Sequence, residues 1–599
     1  MKKHKNRRIE KLFIFILCIA VSIPYLFLDD CSYGNDFSNS IYGLQFLKEK
    51  RAMVIVPHED DEIMVTGALI RTLIDAGNEV VVLYTTNGDK HGLSEVRINE
   101  AVSSLKTLGV KEENVIFLGY GDTWDTIYKH IYNAPENEVI TSYIGKNATY
   151  GTASYNDFSF DFYGSHSLYT RNNYKKNLKD AILRTHPDIL ISVDFDSHPD
   201  HRAASLFFEE VMCEILKENE QYTPLVYKGF AYNTSWKAKD DFYNINMEST
   251  VLPDKAKVLN SIYRLDIPSY EWENRVRFPV PNEMLSYTKR SNLIFEALTK
   301  HKSQNAKAKA GKIINSDQVF WERDTKSITY NSKIITSSGE SKYLNDFKLI
   351  DCSDITERNA EFDHCIWLPE KSDTEKSAKV IFDRPEDISS VVLYDNFGPE
   401  DNILKGQLVF SDGSQIDTGP LKKNGEPTRI DFPTKKDIEY VQFKINEYEG
   451  SQPGLCELEV FENSRATTPS FIKIMLDNTA QTFIYKYILT NEKKIQLRVY
   501  SYPAIEHGDS SGVYKFSVIG NNGQGITIDG NTLEISDNIR AGKYKVRVEL
   551  INNPEIFDQV EFVVPTRLEL LKIKGLMKYE MFIDFVQEKW RSVQRQADH

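Results

Sequence analysis

A chain of 599 residues exceeds what one hydrophobic core sustains, ~250–300 residues, so several domains are expected. Apolar residues make up 41% and aromatic residues 12%, a globular composition. The net charge of −14, without a basic stripe, excludes nucleic acid as the expected partner.

The N-terminus departs from this acidic balance. Lys2, Lys3, Lys5, Arg7 and Arg8 precede an apolar run of 17 residues from Leu12 to Leu28. That length is near the lower limit for crossing ~30 Å of hydrocarbon. Asp29 and Asp30 stand where a small-residue cleavage site would fall, so an uncleaved signal-anchor is favoured over a cleaved signal peptide. The basic flank places a tail (1–11) in the cytoplasm, a transmembrane helix at 12–28, a linker at 29–48 and the remainder outside the cell.

The apolar run Met53-Val54-Ile55-Val56 reads as a buried strand and leads into Pro57-His58-Glu59-Asp60-Asp61-Glu62. A helical period follows, Ile63 to Ala76, with Gly77 placed to stop it. Val80 to Tyr84 is the next strand, so the unit is βαβ in a parallel sheet, whose ligands bind at the carboxyl ends of strands. Ser94 to Leu108 reads as a helix ended by Gly109, and Val115 to Leu118 as a strand. Residues 130–170, rich in Tyr, Asn, Ser and Gly, are long for a connection and read equally as a rim over the site or a structural flap. Asn173 to Thr185 is helical, and Ile189 to Val193 is a further strand, running through Asp194 and Asp196 into His198-Pro199-Asp200-His201. Leu225-Val226-Tyr227 reads as one more strand. One imidazole and several carboxylates at one strand end, two imidazoles at another, are costly to bury without a cation. Three protein ligands and a water form the usual catalytic zinc arrangement. Each motif alone is more often a solvated helix start or polar loop; together, at strand ends, they point to a metal site.

These two motifs, with Thr85-Thr86-Asn87-Gly88-Asp89 and Arg97-Ile98-Asn99-Glu100 between them, resemble the PIG-L/LmbE-like family of zinc-dependent N-acetylglucosamine deacetylases. His301-Lys302-Ser303-Gln304 and Val319 to Arg323 are similar to segments closing its longer members. The chain departs from the family at Glu59, where Pro is usual. The resemblance implies a Rossmann-like deacetylase domain at 49–335. It implies zinc, with iron(II) or another divalent metal left open, held by His58, Asp61 and His201. It also implies Asp60 as general base, and His198 as an imidazolium that stabilises the oxyanion or protonates the leaving amine. Asp200 would orient His198, and Arg97 would bind sugar hydroxyls.

Beyond about 340 the texture becomes short alternating runs. Val391 to Tyr394, Gly406 to Phe410 and Tyr440 to Ile445 read as strands, with a hairpin turn at Ser411-Asp412-Gly413-Ser414. With Gly454 to Val460 as closing strand, 340–465 resembles a galactose-binding-like (discoidin) jelly-roll. Residues 470–565, with alternation at 512–518, 532–535 and 542–550, look like an immunoglobulin- or cadherin-like sandwich. In the C-terminal segment (566–599), a helix over 577–596 carries Met581, Phe582, Phe585, Val586 and Trp590 on one side and is expected to pack on the preceding domain. Cys352, Cys365 and Cys456 fall in one domain, where an outside location permits a disulfide of undetermined pairing.

The fold class expected is multidomain: an α/β catalytic domain, two all-β sandwiches and an N-terminal membrane helix. The function expected from the resemblance is removal of N-acetyl groups from amino sugars in a cell-surface glycan or exopolysaccharide. The alternatives are a glycan-binding protein with an inactive hydrolase domain, and a metal hydrolase of another amide.

Overall fold

The computed structural model describes residues 44–123, 129–196, 198–231, 236–237, 250–251, 276–278, 280, 284, 292–309, 313–314, 318–352, 354–356, 364–396, 400–423, 426–464, 468–476, 493–503, 505, 512–519 and 525–597. The expected membrane segment lies outside them. No helix among the described residues is long and apolar enough to cross a membrane.

The first body is built on a seven-stranded sheet. Its strands are β1 (Arg51–Val56), β2 (Glu79–Thr86), β3 (Val115–Tyr120), β4 (Ile189–Val193), β5 (Leu225–Gly229), β6 (Val276–Phe278) and β7 (Gln318–Arg323). The order is β3-β2-β1-β4-β5-β7-β6. The first five are parallel, β7 is antiparallel to β5, and β6 to β7. Met53 to Val56 and Ile189 to Val193 are buried throughout, because helices cover both faces of the sheet. From β1 the chain steps one way to β2 and later the other way to β4. The connections leaving these two strands therefore diverge and open a crevice at their carboxyl ends.

The helices are α1 (Asp61–Thr66), α2 (Leu69–Asp75), α3 (Ser94–Leu108), α4 (Phe158–Tyr163), α5 (Arg171–Thr185), α6 (Pro199–Glu218) and α7 (Leu293–Leu298). The single helix expected over 63–76 is two. Gly67, at φ +49°, breaks it where the Gln318 side chain packs, 2.4 Å from where a Cβ on Gly67 would stand. Helix α3 ends as expected, at Gly109 in the left-handed region.

The second body is one antiparallel sheet. It contains β8 (Lys333–Thr336), β9 (Ser377–Asp395), β10 (Ile403–Phe410), β11 (Gln415–Gly419), β12 (Pro427–Tyr448) and β13 (Leu455–Phe461). The order is β8-β9-β12-β10-β11, with β13 also on β9. The turn read at 411–414 joins β10 to β11, and Gly413 takes φ +82°. Cys352, Cys365 and Cys456 are buried free thiols.

The third body has two small antiparallel sheets. One holds β14 (Phe471–Leu476), β15 (Lys494–Tyr502), β17 (Ile526–Asp529) and β18 (Thr532–Ile535); the other holds β16 (Tyr514–Ile519), β19 (Gly542–Leu550) and β20 (Asn553–Val564). This body docks on the first: the Phe471 ring stacks on Phe278 at 5.6 Å and on Phe46 at 5.5 Å, and Tyr502 donates to Glu322 at 2.6 Å.

The terminal helix α8 (Arg567–Ala597) is longer than expected and does not pack as expected. Met581, Phe582 and Phe585 are 53%, 47% and 56% exposed, so these side chains are not buried against the sandwich.

Candidate metal centre

Two chain reversals build the site. At the end of β1, Pro57 C=O accepts from Thr86 N–H at 3.1 Å and from Thr86 Oγ1 at 2.9 Å, which ties the turn to β2. At the end of β4, His198 caps α6: its Nδ1 accepts from Asp200 N–H at 3.2 Å, and Pro199 sits in the first helical turn. The two reversals place His58, Asp61 and His201 together. His58 Nδ1 lies 3.0 Å from Asp61 Oδ2 and 3.2 Å from His201 Nε2, and His201 Nε2 lies 3.1 Å from the same Asp61 oxygen.

Ligands at ~2.0–2.1 Å around a tetrahedral zinc stand about 3.3 Å apart, close to this triangle. The outer ring nitrogens are occupied: His201 Nδ1 is 2.8 Å from Asp196 Oδ2, and His58 Nε2 is 3.3 Å from Asp200 Oδ2. With a cation in the triangle, each ring would carry its proton outward and turn a lone pair toward Asp61. Electrostatics agree with a cation there. Burial opposes charge on His201, yet Asp196 and Asp61 hold its pKa at about 9. Burial opposes it on His58 too, yet Asp200 and Asp61 raise its pKa well above the ordinary imidazole value. Burial also disfavours ionised Asp61, but the two imidazoles hold it well below the usual carboxylate range. The residues fit a divalent cation.

Donor atoms of His58, His198 and His201 also lie within 4.8 Å of one another, as do those of His58, Asp122 and Asp200. His198 fits the ligand role less well, because its Nδ1 accepts the helix N–H and its remaining nitrogen carries the proton. Burial, then His58 and His201, push the His198 pKa well below the ordinary value. Asp200 meets His198 through its backbone N–H, at 3.2 Å from His198 Nδ1. Asp200 Oδ2 is 3.8 Å from His198 Nδ1, and its carboxylate serves His58.

Asp60, next to buried Asp61, is partly exposed at the mouth of the turn. Arg97, on α3, is partly buried beside Gly88: a Cβ there would stand 2.9 Å from Arg97 Nη1 and 2.1 Å from Glu59 Oε2. Glu59 is fully buried, and burial followed by Asp122 raises its pKa well above the usual range.

The segment 301–304 straps the first reversal. His301 Nε2 lies 2.7 Å from Glu62 Oε1, Ser303 Oγ donates to Glu100 at 2.7 Å, and Gln304 Nε2 donates to Glu59 C=O. The insertion over 130–170 reaches the site directly, since His130 Nε2 is 2.9 Å from Asp200 Oδ1. Neither His130 nor Asp196 was marked as a site residue by the sequence. Asp196 stands five residues before His201, a spacing that a search for partners of the ligands would find. His130 lies 70 residues from its partner, with no local signal.

A Rossmann-type sheet carrying two histidines and an aspartate at the crevice defines the class, an α/β domain with a candidate metal site. Residues 53–212 match the family described as PIG-L, GlcNAc-PI de-N-acetylase, and residues 335–461 match one described only as a domain of unknown function, DUF7402. Residues 53–212 are thus similar to a PIG-L-type domain, over about a quarter of the chain. It is 31% identical over 87 residues to a probable N-acetylglucosaminyl-phosphatidylinositol de-N-acetylase of Dictyostelium discoideum; the match takes in 13% of this chain and 34% of that relative's length. Among solved structures, it is similar to an N,N'-diacetylchitobiose deacetylase from Pyrococcus horikoshii (15% identity, 49% of this chain and 88% of that one, TM-score 0.26). It is also similar to a family 32 CBM from C. perfringens NanJ solved with galactose (15% identity, 22% of this chain and 94% of that one, TM-score 0.18).

Proposed function

We propose that this protein is a zinc-dependent deacetylase that hydrolyses the N-acetyl group of amino sugars in a cell-surface glycan or exopolysaccharide. The observation that carries the reading is the triangle of His58 Nδ1, Asp61 Oδ2 and His201 Nε2, with edges of 3.0–3.2 Å, in a domain matching the PIG-L family.

When bound there, a divalent cation supplies water activation and polarises the amide carbonyl. Asp60, at the mouth of the turn, takes the attacking water's proton and returns it to the departing amine. His198, neutral and with its proton on Nε2, donates to the developing oxyanion. Arg97 binds sugar hydroxyls. The signal-anchor reading of residues 12–28 supports an outside location. The β-bodies, one of them immunoglobulin-like in this reading, keep the polymer at high effective concentration near the site.

Acetate release from N-acetylglucosamine oligomers and polymers tests the reading, with native, metal-stripped and zinc-restored protein in parallel. Metal-dependent release is expected. A protein that binds no metal would sink the assignment, and stoichiometric metal without release from any such substrate would favour a binding protein.

A further inference from the structure

His130 belongs to neither His/Asp motif, yet it is 2% exposed and touches the site. Tyr132 N–H donates to its Nδ1 at 3.1 Å, so the neutral ring keeps its proton on Nε2. That proton is directed at Asp200 Oδ1, 2.9 Å away, and Thr123 Oγ1 donates to the same oxygen at 2.9 Å. The other Asp200 oxygen faces His58 Nε2 at 3.3 Å. A continuous chain therefore runs from the backbone of Tyr132, through His130 and Asp200, to the ring of His58.

The same turn (Ile131–Asn133) is gripped from its other side. Tyr132 Oη donates to Asp351 Oδ2 at 2.7 Å. Lys348 Nζ donates to Asp351 Oδ2 at 2.6 Å and to Glu210 Oε1 on α6 at 3.0 Å. Asn133 Nδ2 donates to Asp354 Oδ1. Lys348, Asp351 and Asp354 stand between the sheet body and strand β9 of the second body, and their apolar neighbours Phe347, Leu349 and Ile350 share a core with Phe207 of α6 and Tyr132. The turn thus has a metal-ligand support on one side and the seam between two bodies on the other.

We propose that His130 is a positioning residue for the metal centre, setting the ring of His58 through Asp200, and that Tyr132 and Asp351 make that setting depend on the seam with the second body. This rests on the metal-centre reading above. An isolated Asp200 carboxylate rotates; one fixed by Thr123 and His130 presents a defined oxygen to His58, which raises the basicity of the ligand ring and holds its angle.

The test is cobalt(II) titration of the full chain, read by visible absorption and by competition with a chromophoric chelator. His130→Ala is expected to weaken cobalt affinity about 10- to 100-fold, the range for loss of an outer partner of a ligand, and to alter the visible spectrum. His130→Gln, whose amide N–H reaches toward Asp200, is expected to recover most of the affinity. Tyr132→Phe removes one hydroxyl at the seam, leaves the N–H that holds His130, and is expected to weaken cobalt binding to a smaller extent. Wild-type affinity and spectrum in His130→Ala would overturn the positioning role. Should His130→Ala fail to fold, Tyr132→Phe decides: weaker binding supports the proposal, and unchanged binding overturns it. Failure of the wild-type chain to bind cobalt would overturn the underlying metal-centre reading, a result distinct from either.

Discussion

His201 Nδ1 lies 2.8 Å from Asp196 Oδ2, and that contact decides which nitrogen of His201 faces His58 and Asp61. Asp196 is fully buried, so its charge is unscreened and its position fixed. Asp196→Ala is expected to leave His201 free to rotate and to exchange tautomers, lowering zinc affinity about 10- to 100-fold. Equilibrium dialysis against a zinc chelator measures this. Affinity within twofold of wild type would show that the contact is not what orients the ring.

Asp60 and Asp61 are neighbours with separate expected effects. Asp61 sits in the triangle, so Asp61→Asn is expected to lose both metal and activity. Asp60 is partly exposed and outside the triangle, so Asp60→Asn is expected to retain metal at full stoichiometry while kcat falls about 10²- to 10⁴-fold, the usual loss of a general base. Metal content by elemental analysis alongside acetate release separates the two. An Asp60→Asn protein that is inactive only because it lacks metal would remove the base assignment.

Gly88 tests the packing behind Arg97. It takes φ +55°, and a Cβ there would stand 2.1 Å from Glu59 Oε2 and 2.7 Å from Arg97 Cδ. Gly88→Ala is expected to cost about 1–3 kcal/mol through the left-handed backbone and the forced shift of buried Glu59. A thermal or urea melt gives the figure, and a melt unchanged from wild type would mean the loop relaxes freely.

The strand ends were legible because the signal is local. Met53 to Val56 is apolar throughout and Ile189 to Val193 is apolar except for Ser192, and the charged residues start where the strands stop. What failed was long-range or geometric. Gly67 looks tolerable inside a helical period until Gln318, more than two hundred residues on, fills the space over it. The resemblance implies that Asp200 orients His198, but not through which atoms. The helix start at Pro199 settles that, since the Asp200 N–H bonds His198 Nδ1 and leaves the carboxylate to face His58. Apolar periodicity in α8 suggested packing, but period shows that a face exists and cannot show that another surface covers it.

Asp395 gives the second body an expected pH dependence. It is fully buried at the end of β9, and burial pushes its carboxyl up to about 7, although Ile403 N–H at 3.0 Å and Asn396 N–H at 2.8 Å favour the ionised form. The unfolded chain titrates this group near the ordinary ~4. Between those values the native state holds a proton that the unfolded state has released, so stability falls as pH rises from about 4 to about 7 and levels off above. The loss attributable to this group is on the order of a few kcal/mol. Asp395→Asn is expected to flatten the profile over that window, even if the amide fits the two N–H donors less well and lowers stability throughout. Melts of both proteins across pH 4 to 8 (about one point per half unit) decide it. An equal slope in the variant would assign the pH dependence to other buried acids at the seam, Glu459 among them, which burial likewise pushes up to about 7.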